Sequence, residues 1–350
     1  MKFDLRSSGL GNFKHDATLG EVDLSANYSH GSPETAKLLA QRYSTMPENV
    51  FISSEGASGQ NARIIRCLYE RNPGRNEAIV EYPTYEPLLR LTQEYFPYIK
   101  RLERNDAEAY RLDADRLRRI VSDKTGLVVL TNPHAPSGAI SDVKELKEVM
   151  TMAGQFGFHV LCDEIYAEFD RNRVPTLLSV DSEMGIVTTS FSKAYGLGGL
   201  KLGVALAKNT LVNEFYADML DTVGASSNLV EMLAAKLLTE DADALEMHKQ
   251  KWMRLKAETQ KLLREKNFEY SLDTVGITFW LKLPIKATYK WVNETAIPRY
   301  GLAFVPGAFF LFKEDEIVES SMVRLGLGNI NPDEPNLDEA FEIFEKALNP

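Results

Sequence analysis

Only two cysteines, Cys67 and Cys162, occur in 350 residues. They are too few and too far apart for a disulfide scaffold, so a reducing, cytoplasmic setting is expected. No apolar run approaches the ~18 residues that a membrane helix requires, and no membrane association is expected. The opening Met1-Lys2-Phe3-Asp4-Leu5-Arg6 carries charges where a secretory signal needs apolar residues. Basic residues are not in excess: 40 Lys and Arg stand against 50 Asp and Glu, a net charge of −10. That balance argues against a nucleic-acid partner, because no basic face is available for a phosphate backbone. The five histidines, His15, His30, His134, His159 and His248, form no His-x-x-x-His pair, and the cysteines form no Cys-x-x-Cys. A zinc site is therefore not expected. The Gly-x-x-x-x-Gly-Lys-Ser/Thr loop of nucleotide triphosphate binding is missing too. Gly196, Gly198, Gly199 and Gly203 do not complete the dinucleotide spacing, and no acidic residue follows at the expected distance.

What is present is an ordinary globular mixture, 44% hydrophobic and 26% charged, long enough for a large domain and a smaller one. Short apolar runs at Val50–Ser53, Ala78–Glu81, Leu127–Thr131, His159–Cys162, Ile186–Thr189 and Gly203–Ala207 read as strands. Helix-length stretches lie between several of them. One starts at Asp142, with Glu145 completing a capping box, and places Val143, Leu146, Val149, Met150, Ala153 and Phe156 at helical spacing. Strand and helix in alternation predict an α/β fold, a mostly parallel sheet sandwiched by helices. Ligands of such sheets sit beyond the carboxyl ends of the strands. The pattern changes near residue 240. A long polar helix over Asp241–Lys266 should turn Leu245, His248, Trp252, Leu255, Thr259 and Leu262 to one side. Strands at Gly276–Leu283, Leu302–Val305 and Met322–Leu327 and a last helix at Leu337–Leu348 follow. The expected division is a large domain over 28–240 and a smaller α+β domain over 241–350, with the amino-terminal segment over 1–27 belonging to the smaller domain.

Four local patterns each follow a predicted strand. Gly56-Ala57-Ser58-Gly59 reads either as a tight turn or as a helix start whose backbone N–H groups and serine hydroxyl meet an anion. Asn132-Pro133-His134-Ala135-Pro136-Ser137-Gly138 is a rigid loop, structural or functional. Cys162-Asp163-Glu164-Ile165-Tyr166 ends a buried strand with an acid that needs a cationic partner, in a simple salt bridge or in a site. Ser190-Phe191-Ser192-Lys193, followed by Gly196-Leu197-Gly198-Gly199-Leu200-Lys201, places a lysine between hydroxyls and glycines. That lysine is either an exposed loop residue or one positioned for a Schiff base.

Taken together and in this order, the four patterns resemble the fold type I pyridoxal phosphate enzymes, specifically the class I/II aminotransferases of the aspartate aminotransferase superfamily. The resemblance runs from about Leu24 to the end. It implies pyridoxal 5'-phosphate held as a Schiff base on Lys193, which then shuttles the substrate proton. It implies that Asp163 pairs with the ring nitrogen, that Tyr166 bonds the phenolic oxygen, and that Tyr85 of Tyr82-Pro83-Thr84-Tyr85 stacks on the ring. Ala57, Ser58, Ser190, Ser192 and Lys201 correspond to the phosphate cup, and Asn132 is a further candidate for cofactor contact. Arg324 is similar to the arginine that clamps the substrate carboxylate, preceded by the familiar Gly301–Gly307 stretch. Tyr28 resembles the tyrosine that reaches the phosphate of a neighbouring subunit, which implies a homodimer with shared sites. The chain departs from the family pattern at Ala135, where an asparagine is usual, at Lys201, where an arginine is usual, and in a short amino-terminal region without a Gly-Glu-Pro segment. The activity implied is transfer of an amino group from an amino acid to a 2-oxo acid. The alternative is a lyase or decarboxylase of the same fold.

Overall fold

The apolar runs become strands because each is flanked by turn residues and is too short for a helix. The computed structural model describes residues 1–11, 13–14, 25, 28–180, 183–312 and 318–349, so part of the boundary expected at 27/28 lies outside the described residues. The strands are β1 (Phe3–Asp4), β2 (Val50–Ser53), β3 (Glu77–Tyr82), β4 (Tyr98–Glu103), β5 (Thr125–Thr131), β6 (His159–Asp163), β7 (Gly185–Thr189) and β8 (Gly203–Leu206). They continue as β9 (Glu269–Tyr270), β10 (Thr278–Lys282), β11 (Leu302–Ala303), β12 (Val305–Pro306) and β13 (Met322–Gly326). The principal sheet has the order β2-β8-β7-β6-β5-β3-β4. Every pairing in it is parallel except the two that β8 makes, with β2 and with β7.

A parallel sheet is buried on both faces, and the two-residue period of a strand divides its side chains between two cores. Val128, Leu130, Val160, Cys162, Val187 and Val204 pack with Leu146, Val149 and Met150 of the helix Val143–Phe156. Leu127, Val129, Leu161, Ile186 and Ala205 pack instead with Ile64, Ile65 and Leu68 of the helix Gly56–Arg71. Asp163 shares the parity of Leu161, so it emerges at the strand end on the side of Gly56–Arg71. The capping box forms as the sequence predicts. Asp142 Oδ1 accepts from the Glu145 N–H at 2.9 Å, and Glu145 Oε2 accepts from the Asp142 N–H at 2.7 Å. Gly157, at φ +74°, then ends that helix.

Beyond residue 240 the helix Ala242–Glu265 leads into a second sheet of order β12-β13-β10-β9, all antiparallel, with Trp280 opposite Arg324. The first residues of the chain join this part, since β1 pairs in parallel with β11. Among the described residues no helix is long and apolar enough to cross a membrane.

Candidate active site

A cavity of about 470 Å³ opens at the carboxyl ends of β2, β5, β6 and β7. Its wall includes Ala57, Ser58, Tyr85, Ala135, Asp163, Tyr166, Ser190, Ser192, Lys193 and Lys201. With Tyr85, which follows β3, five strand-end segments converge on one space, as expected where a parallel sheet presents its strand ends.

One end of the cavity is arranged for an anion. The helix Gly56–Arg71 starts directly after β2 and directs its first N–H groups outward. Gly56 has φ +71°, and its N–H donates to the Lys201 carbonyl at 2.6 Å. Gly203 is required beside it, because a Cβ there would meet the Gly56 carbonyl oxygen at 2.6 Å. Lys201 itself adopts φ +55°, an unfavourable backbone for a residue with a Cβ, held by that contact. Opposite lie the Ser190 and Ser192 hydroxyls, 2.7 Å apart and bonded to each other.

The deep end holds a carboxylate. Asp163 is 5% exposed, and among the described residues no cation stands at ion-pair distance from it. Its Oδ1 accepts from the Ile165 N–H at 3.0 Å, and its Oδ2 from the Asn61 amide at 2.9 Å. Asn61 is oriented in turn by Thr188, whose hydroxyl donates to Asn61 Oδ1 at 2.6 Å. Burial raises the Asp163 carboxyl above its ordinary value, and the two hydrogen bonds and the charge of Lys193 pull it back. A cationic ring nitrogen would supply the charge that this carboxylate lacks. Lys193 lies on the loop after β7, and its Nζ donates to Ser8 Oγ at 3.3 Å.

Tyr85 precedes the helix Glu86–Tyr95 and stays 38% exposed on the cavity wall. Burial, with the electrostatic influence of Tyr166 and Asp163, raises its phenol, and the nearby Arg324 opposes the rise. Arg324, on β13, is not part of the cavity wall. Its Nη2 donates to the Arg6 carbonyl at 3.0 Å, and its guanidinium lies 5.1 Å above the Phe310 ring. Its Nε is buried and has no hydrogen-bond partner among the described residues.

Two of the residues expected to contact cofactor, Asn132 and Tyr28, do not line this cavity. Asn132 is 1% exposed; its amide donates to the Pro175 carbonyl at 2.8 Å and accepts from the Ser141 N–H at 2.9 Å. Both ends of that side chain brace the 132–141 loop. Ala135 is the residue of that loop which lines the cavity. Tyr28 is 41% exposed and does not line the cavity of its own chain.

The sequence reading missed Asn61, Thr188, Ser8 and Thr131. Thr131 lines the cavity, accepts from the Ala135 N–H at 2.8 Å and donates to Glu81, which pairs with the buried Arg104 at 3.0 Å. Asn61 carried a detectable signal. An asparagine inside a helix is unfavourable unless its side chain has a specific partner.

The model of the class I and II aminotransferase family matches residues 18–343. Capreomycidine synthase of Streptomyces vinaceus is 26% identical over 325 residues, 88% of this chain and 82% of that protein. Aspartate aminotransferase of Thermotoga maritima superposes with a TM-score of 0.84 at 18% identity, covering 99% of this chain and 92% of that one. The aromatic aminotransferase of Pyrococcus horikoshii OT3 gives a TM-score of 0.81 at 19% identity, covering 99% and 95%. With the match spanning nearly its whole length, the chain belongs to the class I and II aminotransferases, enzymes that use pyridoxal phosphate.

Proposed function

We propose that this aminotransferase binds pyridoxal phosphate in the 470 Å³ cavity through Lys193 and moves an amino group from an amino acid to a 2-oxo acid. The observation that carries the reading is the opposition, in one cavity, of a buried Asp163 carboxylate with no ion-pair partner among the described residues and a rim suited to an anion. The volume lies within the ~300–1,000 Å³ of cofactor sites. Ala57, Ser58, Ser190, Ser192 and Lys201 would hold the phosphate. Asp163 would balance a protonated ring nitrogen, Tyr85 would cover one ring face, and Tyr166 would bond the phenolic oxygen. When bound, the cofactor supplies an aldehyde for the substrate amine and a ring that draws electrons from its α-carbon. Lys193 would bond that aldehyde and, once released, move the proton at the substrate α-carbon. Arg324 would orient the substrate carboxylate with its fork of N–H donors.

The same reading includes the domain division at residues 27/28 and 240/241. It also includes a homodimer in which Tyr28 reaches the partner's cofactor phosphate. The exposed apolar side chains of Leu220, Val223 and Leu229 support a covered surface. The unpaired Cys67 and Cys162 support a reducing, cytoplasmic location.

A lyase or decarboxylase is the second reading. It is favoured by the synthase name of the Streptomyces vinaceus relative and by Ala135 in the loop position where an asparagine is usual. Product analysis across a panel of amino acids separates the two. A 2-oxo acid formed together with the pyridoxamine form of the cofactor supports transamination; release of ammonia, a thiol or carbon dioxide overturns it.

A further inference from the structure

We propose that Ser8 is a catalytic partner of Lys193, the group that receives a hydrogen of the lysine amine and aims the amine at the substrate. This inference rests on the assignment of Lys193 above and assigns a residue that neither the motifs nor the family pattern singled out. Ser8 is buried at 6% exposure, and its hydroxyl has one hydrogen-bond partner among the described residues, Lys193 Nζ at 3.3 Å. A buried hydroxyl costs desolvation that an alanine would avoid, so its presence calls for a partner. The distance is at the long end for N–H···O, as catalytic hydrogen bonds often are before substrate arrives.

The strap over residues 5–10 is stitched in place on every side. The Leu5 N–H donates to Ala303 at 2.8 Å, and Leu5 accepts from the Gly326 N–H at 2.8 Å. Ser7 accepts from the Gly328 N–H at 3.1 Å, and the Leu10 N–H donates to the Lys193 carbonyl at 2.8 Å. Side chains at Gly326 and Gly328 would strike the carbonyls of Ser7 and Gly9, and a Cβ on Gly9 would lie 3.0 Å from Lys193 Cδ. These glycines let the strap lie close against both β13 and the lysine. Because the Arg6 carbonyl also holds Arg324, the five residues from Arg6 to Leu10 tie the proposed carboxylate clamp to the proposed nucleophile.

In the proton step the lone pair of the Lys193 amine takes the α-hydrogen of the substrate. The Cα–H bond breaks, an N–H bond forms, and the electron pair of the broken bond stays with the substrate. One N–H of the amine points to Ser8 Oγ throughout, which leaves the lone pair facing the cavity. The resulting ammonium would keep that bond until it gives up a proton, back to the substrate α-carbon in hydrogen exchange or to the former aldehyde carbon of the cofactor in amino transfer. No other reactant is required.

The test compares the parent with Ser8→Ala and Ser8→Thr. In the cofactor-free chains, acetylation of Lys193 is measured against the exposed Lys144 by mass spectrometry. In the holoenzymes, α-hydrogen exchange in deuterium oxide is followed by NMR, with the amino acid of the standard twenty that the parent exchanges fastest. Ser8→Ala should acetylate severalfold faster at Lys193. It should exchange about tenfold more slowly, the scale of one hydrogen bond, with a larger α-deuterium isotope effect and an unchanged KM. Ser8→Thr, which keeps the hydroxyl, should restore both rates. Unchanged rates in Ser8→Ala overturn the proposal, as does an equal loss in Ser8→Thr, which would assign the effect to packing. Borohydride trapping distinguishes the two levels. Cofactor fixed to Lys193 in parent and variants keeps the test on Ser8, whereas a different labelled lysine defeats the underlying assignment and this inference with it.

Discussion

Asn61 offers the sharpest perturbation of the electrostatics at the deep end of the cavity. Asn61→Ala removes the 2.9 Å bond to Asp163 Oδ2 and leaves the Thr188 hydroxyl without its acceptor. A hydrogen bond to a charged group is worth about 1.5–3 kcal/mol. Burial already raises the Asp163 carboxyl, and the Asn61 bond is the largest influence opposing that rise. Losing it favours the neutral acid, and a neutral acid cannot balance a protonated ring nitrogen. Pyridoxal phosphate should therefore bind roughly 10- to 100-fold more weakly, by the conversion of about 1.4 kcal/mol per decade. The sign with pH follows. A carboxyl raised further is protonated over a wider acidic range, so the loss should be larger on the acid side than on the alkaline side. The assay is absorbance titration of the cofactor-free chain at several pH values, with circular dichroism to establish folding. A folded variant that binds within twofold of the parent, with the same pH dependence, would refute the assignment of Asp163 as counter-charge.

Other outcomes test neighbouring parts of the account. Arg104→Leu strands the fully buried Glu81 carboxylate, its partner at 3.0 Å, and should cost about 3–5 kcal/mol in urea unfolding; a loss under 1 kcal/mol would contradict it. Burial raises Glu164 from 4.5 to about 7, so its contribution to stability is full below 4.5 and is lost as pH rises through about 7. Glu164→Gln should accordingly gain on the parent in unfolding free energy across that interval, and a pH-independent difference would defeat the argument. Mixing inactive Lys193→Ala with impaired Tyr28→Phe should recover part of the activity if subunits exchange and share sites. No recovery in proven heterodimers excludes Tyr28 from the partner's site.

The principal strands were legible because a strand buried on both faces reads as a continuous apolar run, and Val50–Ser53 ends where the sequence puts it. The edge strand β4 was not. Tyr98–Glu103 carries Lys100, Arg101 and Glu103, the charges by which an edge avoids pairing with other chains. The long helix was found, but its buried side includes Lys249 and Lys256. Lys256 buries its stem and reaches the Thr274 carbonyl at 2.7 Å, a contact that helical periodicity does not show. Within the site, residues next to strand ends were readable from local motifs. The partners of Asn61 and Ser8 were not, because they meet Asp163 and Lys193 across 102 and 185 residues of sequence, even though an asparagine within a helix already calls for some partner. Asn132 also stands beside a strand end, but its bonds to Pro175 and Ser141 are likewise not visible in a local motif.

The central claim is that Lys193 carries the cofactor. Borohydride reduction of the holoenzyme, followed by digestion and peptide mass mapping, tests it most directly. The account predicts the mass of reduced pyridoxal phosphate on the peptide that contains Lys193, and its loss in Lys193→Ala. Reduced cofactor on any other lysine, or no covalent adduct in a chain that binds the cofactor, would contradict it.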